Sequence, residues 1–429
     1  MIFKPYFLFL LVISSFLNAQ QNYFERTIKE LTSDEYNGRG YTYDGMLKAS
    51  LFLREEFQKI GLESFGESYF QEVEFPINVI EDATLVINGQ SLVYGKDFMV
   101  KPSSKSIQSN QNLVNYIFPV VDYVNSFQSK GKIKNFVIKD YQNQMGKNVI
   151  LPPIKNAADS IKTYYKQWAN TYERDDNKNR AIFRFVSDSL IVSLSQRQAN
   201  VTEFIIKDKY YDDNLSLDSF FVSANFNPQF KFNNVIGYLN GEINDSVIVL
   251  SAHYDHLGRV GNSIFPGASD NASGTAMLLD LAKYFSKNKP KYKMVFMLFG
   301  AEEAGIVGAL NYVNNPMFPL EQIKFLVNLD IMGAGEDGIQ VVNGTKFKPE
   351  FEKLVKINKE SSLLKEIKIR GEACNSDHCP FYEKGVPSFF IYTLGGKGNY
   401  HNIYDTYNNL DLRYSPKVKQ LLIQFINQL

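Results

Sequence analysis

Apolar positions along this chain recur with different periods, and the changes between them divide it. From Asn22 to about Phe75, the stretches "YFERTIKELTSD" and "GMLKASLFLREEFQKIGLESFG" space their apolar residues three and four apart, and Gly61 follows the second as a stop signal. Two amphipathic helices are expected there. Between about Ile107 and Gln229 the texture changes to short β-branched and aromatic runs, "KNVILPP", "AIFRFV", "SLIVSL" and "TEFIIKD", broken by polar loops and one helix-like piece, "NAADSIKTYYKQWANTYERDD". From Asn233 onward, strand-type runs ("VIGYLNG", "SVIVLSA", "KMVFMLFG", "KFLVNLD", "PSFFIYT") alternate with helical stretches such as "SGTAMLLDLAKYFSK" and "PEFEKLVKINKE". Short strands buried on both faces with helical crossovers predict an α/β fold: a mostly parallel central sheet flanked by helices, with an inserted β-rich subdomain.

The expected division is a leader at 1–19, an N-terminal part of the main domain at 20–106, the insert at 107–229 and the main part at 230–429. The leader reads as a signal peptide: one Lys, an apolar stretch from Tyr6 to Phe16, then Ala19 as the small residue at the cleavage point. That stretch is about half of the roughly 20 residues a spanning helix needs, so no stable membrane insertion is expected. The mature chain is expected to be exported, periplasmic or extracellular.

Composition narrows the function classes. With 429 residues, 44% of them hydrophobic, the chain can bury a large core. Lys plus Arg equals Asp plus Glu at 46 each, so bulk charge favours neither nucleic acid nor an anionic membrane as partner. The two cysteines, Cys374 and Cys379, leave a local disulfide and two free thiols both open in an oxidising compartment.

Chemistry concentrates where strands end. In α/β sheets, ligands bind beyond the carboxyl ends of the strands. After "SVIVLSA" come His253, Asp255 and His256; "GASDNASG" supplies Asp270; after "KMVFMLFG" come Glu302 and Glu303; Asp330 follows "KFLVNL". "SDHCPF" adds Asp377 and His378, and "GNYHNIYDT" adds Tyr400, His401 and Asp405. All 4 histidines of the chain lie in these loops. Taken singly, an Asp at a strand end is a helix cap or turn residue, and a lone His is a packed one. Together at one sheet edge, these groups would repel or stay desolvated unless a cation compensated them. Nitrogen and oxygen donors without thiolate suit zinc, and manganese or cobalt less often. A paired-metal site, with ions about 3.5–4 Å apart, needs a bridging carboxylate and further ligands for each ion, and this inventory fits.

In order, "AHYDHLG", "GASDNASG", "FGAEEAG", "NLDIMG", "SDHCPF" with "GVPS", and "YHNIYDT" resemble the M28 family of zinc aminopeptidases. "LTSDEYNGRG" and "EEFQKIGLESFG" resemble the start of its secreted members, so the likeness covers roughly Phe24–Phe75 and Asn233 to the C terminus. The resemblance implies a three-layer zinc-exopeptidase-like fold, two Zn2+ per chain and a peptide substrate. It implies His253 and Asp330 as ligands of one ion, Glu303 and His401 as ligands of the other, Asp270 as the bridge, Asp255 orienting His253, and Glu302 as general base. A cis peptide between Asp270 and Asn271 belongs to the same implication. His256 is expected as a supporting or loop residue, Asp377 and His378 as substrate-side or supporting residues, Asp405 as a brace of the His401 loop, and Tyr400 as a pocket or buried aromatic. The chain departs from the family pattern at Asn402-Ile403-Tyr404, where Thr-Pro-x is usual, and at Asn271, where some members carry Asp. The insert sits where many members hold a protease-associated domain, and its weak match leaves a degenerate domain or a separate lid open. The activity implied is release of N-terminal residues from peptides. The alternatives are a single-zinc, glutaminyl cyclase-like acyltransferase and a non-catalytic receptor-like relative.

Overall fold

The computed structural model describes residues 23–109, 115–119, 147–154, 159, 162–163, 181–212 and 214–429. The leader, and most of the helix-like piece expected at 156–176, lie outside the described residues. The N-terminal helices form as expected: α1 (Tyr23–Leu31) and α2 (Gly45–Ile60). Gly61 ends α2 in the left-handed region (φ 86°), its N–H returning to the Phe57 and Gln58 carbonyls, a conformation that favours glycine.

The first strands in chain order are β1 (Phe70–Ile87), β2 (Gln90–Ser91), β3 (Phe98–Val100), β4 (Ile107–Gln108), β5 (Asn115–Ile117), β6 (Asn148–Leu151), β7 (Ala181–Val186), β8 (Thr202–Lys207) and β9 (Leu217–Leu239). They are followed by β10 (Ile243–His253), β11 (Gly258–Val260), β12 (Ser263–Phe265), β13 (Tyr292–Phe299), β14 (Ile323–Leu329), β15 (Gly338–Val342), β16 (Ile367–Ile369) and β17 (Ser388–Leu394). The main sheet runs β16-β15-β17-β14-β10-β13-β9-β1-β2, with β4 beside β9. Its centre, β17-β14-β10-β13, is parallel, and antiparallel strands flank it. The parallel strands are the apolar runs singled out in the sequence, and alternation along them separates two faces. Ile248, Leu250 and Ala252 of β10 enter the core under α1, α2 and α3 (Gly274–Lys287), whereas Val247 and Val249 face α4 (Val307–Asn314). Helices α5 (Lys348–Ser361), α6 (His378–Glu383) and α7 (Ser415–Ile426) complete the three-layer α/β architecture.

A second sheet, β3-β8-β7-β6-β5, forms a separate lobe. It hangs from the long ribbon of β1 and β9, paired antiparallel from Phe70↔Val235 to Ile87↔Leu217. The distal half of that ribbon (Leu85, Ile87, Phe220, Val222) shares a core with Phe98, Phe183 and Phe204 of the second sheet. That core also takes in Leu92, Phe98 and Phe265, residues on both sides of the expected boundaries at 107 and 229. One expected strand does not form: "SLIVSL" belongs to neither sheet.

Candidate metal centre

The side chains picked out at strand ends converge at the carboxyl edge of the parallel strands. His253 is the last residue of β10, Glu302 and Glu303 follow β13, and Asp330 follows β14 directly. Asp270 lies in the turn Ala268–Ser273 that leads into α3, and its peptide bond to Asn271 is cis. Gly267 opens this turn at φ 57°, and a Cβ there would lie 2.5 Å from the His256 ring, so only glycine lets the loop approach. Asn271 anchors the turn: its Nδ2 donates to the Leu329 carbonyl at 3.0 Å, and its Oδ1 accepts from the Gly274 and Ile331 amides.

Asp270 sits between two groups of donors. His253 Nε2 lies 3.4 Å from Asp270 Oδ1 and 3.3 Å from Asp330 Oδ1. On the other side His401 Nε2 lies 3.1 Å from Asp270 Oδ2 and 2.9 Å from Glu303 Oε2. His256 joins the second group through Glu303, with its Nδ1 2.6 Å from Oε1, so the two oxygens of Glu303 face different imidazoles. The His253, Asp270 and Asp330 donor atoms lie within 4.8 Å of one another, as do those of His256, Asp270 and Glu303.

The surrounding contacts fix these groups. The Asp255 carboxylate is 3.7 Å from His253 Nδ1, beyond hydrogen-bond reach, and the Asp255 backbone carbonyl is nearer at 3.2 Å. Its oxygens instead accept from the amides of Glu302 (3.1 Å) and Glu303 (3.3 Å) and from the Tyr41 hydroxyl (2.9 Å). Asp255 thus organises the glutamate turn more directly than it orients the imidazole. Ser376 donates to Asp330 Oδ2 at 3.0 Å and is itself held by Asn328. Asp405, in the His401 loop, reaches across with its carboxylate to accept from the Ser269 and Asp270 amides at 2.9 and 3.0 Å. Arg39 is wholly buried and donates to the carbonyls of Tyr254, Leu31, Pro266 and Gly267 at 2.7–3.0 Å.

Other expected residues lie at the margin. His378 is buried with Nε2 2.8 Å from the Ala373 carbonyl, in neither donor group, and burial holds its pKa down at about 4. Asp377 is wholly buried, and its carboxylate has no hydrogen-bond partner among the described residues. The Tyr400 ring stacks on His401 at 3.8 Å and stays 47% exposed, facing solvent over the site. Cys374 and Cys379 are joined by a disulfide (Cα–Cα 4.9 Å), which closes the loop carrying Ser376 and Asp377.

The electrostatics of this cluster call for a cation. Burial pushes the Glu302 carboxyl well above its usual range; His253 opposes this, and Asp377, Glu303 and Asp330 add to it. Burial likewise carries Asp377 up to about 8, His253 opposing and Asp255 and Asp330 reinforcing. Against burial, Glu303 and Asp270 hold the His401 imidazole up at about 11. His401 Nε2 is buried beside two carboxylates yet aligned with neither as a hydrogen bond, the disposition of atoms that share a cation. All the donors are nitrogen or oxygen, the set that suits zinc.

Arg39, Tyr41 and Ser376 were not assigned roles from the sequence, although Arg39 lies in "NGRG" and Ser376 directly precedes Asp377. A carbonyl-binding arginine carries no pattern of its own.

Comparisons with known proteins agree with this architecture. Residues 234–426 match the sequence profile of peptidase family M28. An aminopeptidase of Pseudomonas aeruginosa is 30% identical over 171 residues, covering 36% of this chain and 29% of its own length. Aminopeptidase YwaD of Bacillus subtilis is 29% identical over 151 residues, 33% of this chain and 31% of its own. The chain therefore spans about three tenths of the length of these curated relatives. Among solved structures, the zinc aminopeptidase BSAP of Bacillus subtilis shares the fold with a TM-score of 0.67, at 17% identity over 95% of this chain and 94% of its own.

Proposed function

We propose, from the premise that this chain carries an M28-family peptidase region at residues 234–426, that it is an exported zinc aminopeptidase with two Zn2+ ions per chain. The observation that supports the reading best is the placement of Asp270 between two donor groups, one oxygen toward each. His253 and Asp330 would hold one ion, His401 and Glu303 the other, and Asp270 both. Zinc in such a site supplies Lewis acidity toward a carbonyl and lowers the pKa of water. A single-zinc acyltransferase would leave the second donor group without a role.

Glu302 is the general base in this reading. Its Oε2 lies 4.0 Å from His253 Nε2, and its side chain is 14% exposed, so it borders the donor groups while staying partly open to solvent. Burial raises its affinity for a proton, which suits a carboxylate that takes one from water and passes it to the leaving amine. Asp255 holds the Glu302 and Glu303 amides, and the two neighbouring carboxylates diverge, one beside His253 and one toward His401. The substrate is a peptide with a free amino terminus. No helix among the described residues is long and apolar enough to cross a membrane, and export rests on the leader read in residues 1–19.

The test is zinc content per chain of purified wild type and Glu302→Gln, with aminoacyl-nitroanilide hydrolysis on the same samples. Two zinc ions in both, with the variant's kcat reduced by about 100- to 10,000-fold, is the expected result. Wild-type protein that cannot be loaded with zinc, or a variant as active as wild type, would overturn the reading.

A further inference from the structure

The apolar run at 189–194 leaves β7 and crosses from the second lobe to the metal centre. Leu190 and Val192 are buried in the core of the second lobe. Leu194 packs against both cores, and the Ser195 carbonyl accepts from the Asn78 amide of β1 at 2.8 Å. At Val192 the segment meets a proposed ligand. The Val192 N–H donates to the His401 carbonyl at 3.2 Å, and His401 Nδ1 lies 3.0 Å from the Val192 carbonyl. At Gln196 it meets the glutamate turn, where Nε2 donates to the Ala304 carbonyl at 2.7 Å, one residue beyond Glu303.

Both contacts act on geometry. A backbone carbonyl only accepts, so His401 Nδ1 must carry the proton facing Val192, and the lone pair of a neutral ring is then on Nε2, toward Asp270 and Glu303. The turn gripped by Gln196 contains three residues of positive φ, Ala301 (56°), Gly305 (111°) and Ile306 (60°). The amides of Gly305 and Ile306 both fold back on the Glu302 carbonyl at 2.8 Å. Gln196 gives the Ala304 carbonyl its side-chain partner from the second lobe.

We infer that residues 190–196 of the second lobe are a positioning element of the metal centre: the Val192 carbonyl sets the tautomer and direction of His401, and Gln196 sets the turn that carries Glu302 and Glu303. The lobe is then part of the active centre, and not a cover over it. The inference rests on the proposed function for its kinetic readout alone.

The test uses the zinc-loaded and cobalt-substituted full-length protein, wild type and variant. Gln196→Ala and Gln196→Glu remove the donor, whereas Gln196→Lys keeps one at similar reach; the position is exposed, so the fold tolerates all three. Loss of one hydrogen bond predicts a fall in kcat of about three- to tenfold for Ala and Glu, a KM within about twofold of wild type, and recovery of most of the loss in Lys. Val192→Pro removes the N–H whose bond to the His401 carbonyl keeps the Val192 carbonyl against Nδ1, so release of one zinc ion to a chelator should quicken about tenfold, with a changed cobalt absorption spectrum. A Gln196 series in which all three variants behave alike would overturn the Gln196 contact, and wild-type zinc release and cobalt spectrum in Val192→Pro would overturn the Val192 contact. Wild-type protein that binds zinc and cobalt but hydrolyses nothing would overturn the proposed function instead, leaving chelator and spectrum to judge the positioning.

Discussion

The carboxyl edge of the main sheet and the second lobe both reach the proposed metal centre, but by different means. The main sheet contributes ionisable side chains at the last residue of β10 and within four residues after β13 and β14. The second lobe contributes the backbone of Val192 and one amide, Gln196, from an apolar segment that enters no sheet. The chemistry of the first is written in residue types; the support given by the second lies in where a carbonyl points.

The sharpest way to break the first half of this comparison is Asp270→Ala. If one carboxylate serves both donor groups, its loss should leave fewer than two zinc ions per chain and reduce hydrolysis to background, as metal analysis and nitroanilide assays would show. Retention of two ions would mean that the groups are independent. Arg39→Met comes next. The backbone carbonyls of Tyr254, Leu31, Pro266 and Gly267, and the more distant one of Asp270, would lose a buried donor at once, an expected loss of about 3–5 kcal/mol in urea unfolding of the metal-free protein. Added zinc should recover part of it by binding the native state alone.

The same contrast explains what was legible in the sequence. The strands of the main sheet were, because burial on both faces makes them unbroken apolar runs of strand length. His253, Glu302, Glu303 and Asp330 were, because each is polar where a strand gives way to a loop. The run "SLIVSL" was misread because an apolar segment packed between two cores has the composition of a buried strand. Arg39 escaped because its partners are carbonyls, which every residue possesses, and the hold of Asp255 on the glutamate turn escaped because the partners there are backbone amides. The antiparallel pairing of β1 with β9 joins residues far apart in the chain, which local periodicity does not encode.

Glu203→Leu probes the second lobe alone. Glu203 is 1% exposed and bonded to Arg184 Nε at 2.5 Å, with Lys101 Nζ 3.5 Å away. Removing it takes a charged partner from the half-buried Arg184 guanidinium, an expected cost of about 2 kcal/mol, below that of Arg39 because Arg184 is nearer the surface. Hydrogen exchange should quicken in β7 and β8 and at His401, while β10, β13 and β14 keep their protection. Exchange spreading evenly through the main sheet would show that the ribbon of β1 and β9 makes the lobes one cooperative unit, and the comparison would fail at that point.

The smallest expected effect tests whether a residue of the main domain also acts by position alone. Tyr400 stacks on His401 with its rings 15° from parallel, and its hydroxyl is held protonated far above neutral pH, first by burial and then by Asp270, Glu303, Asp330 and Glu302. A hydroxyl that stays protonated in the working range is no proton-transfer group there, and the contact the structure gives Tyr400 at His401 is its ring. Tyr400→Phe keeps the stack and should change kcat/KM by less than about twofold with an unaltered pH profile. Tyr400→Ala removes the stack and should cost more, through a looser His401 and faster zinc release to a chelator. If Phe were as impaired as Ala, the hydroxyl would itself be touching substrate, and Tyr400 would pass from the positioning residues to those that meet the peptide.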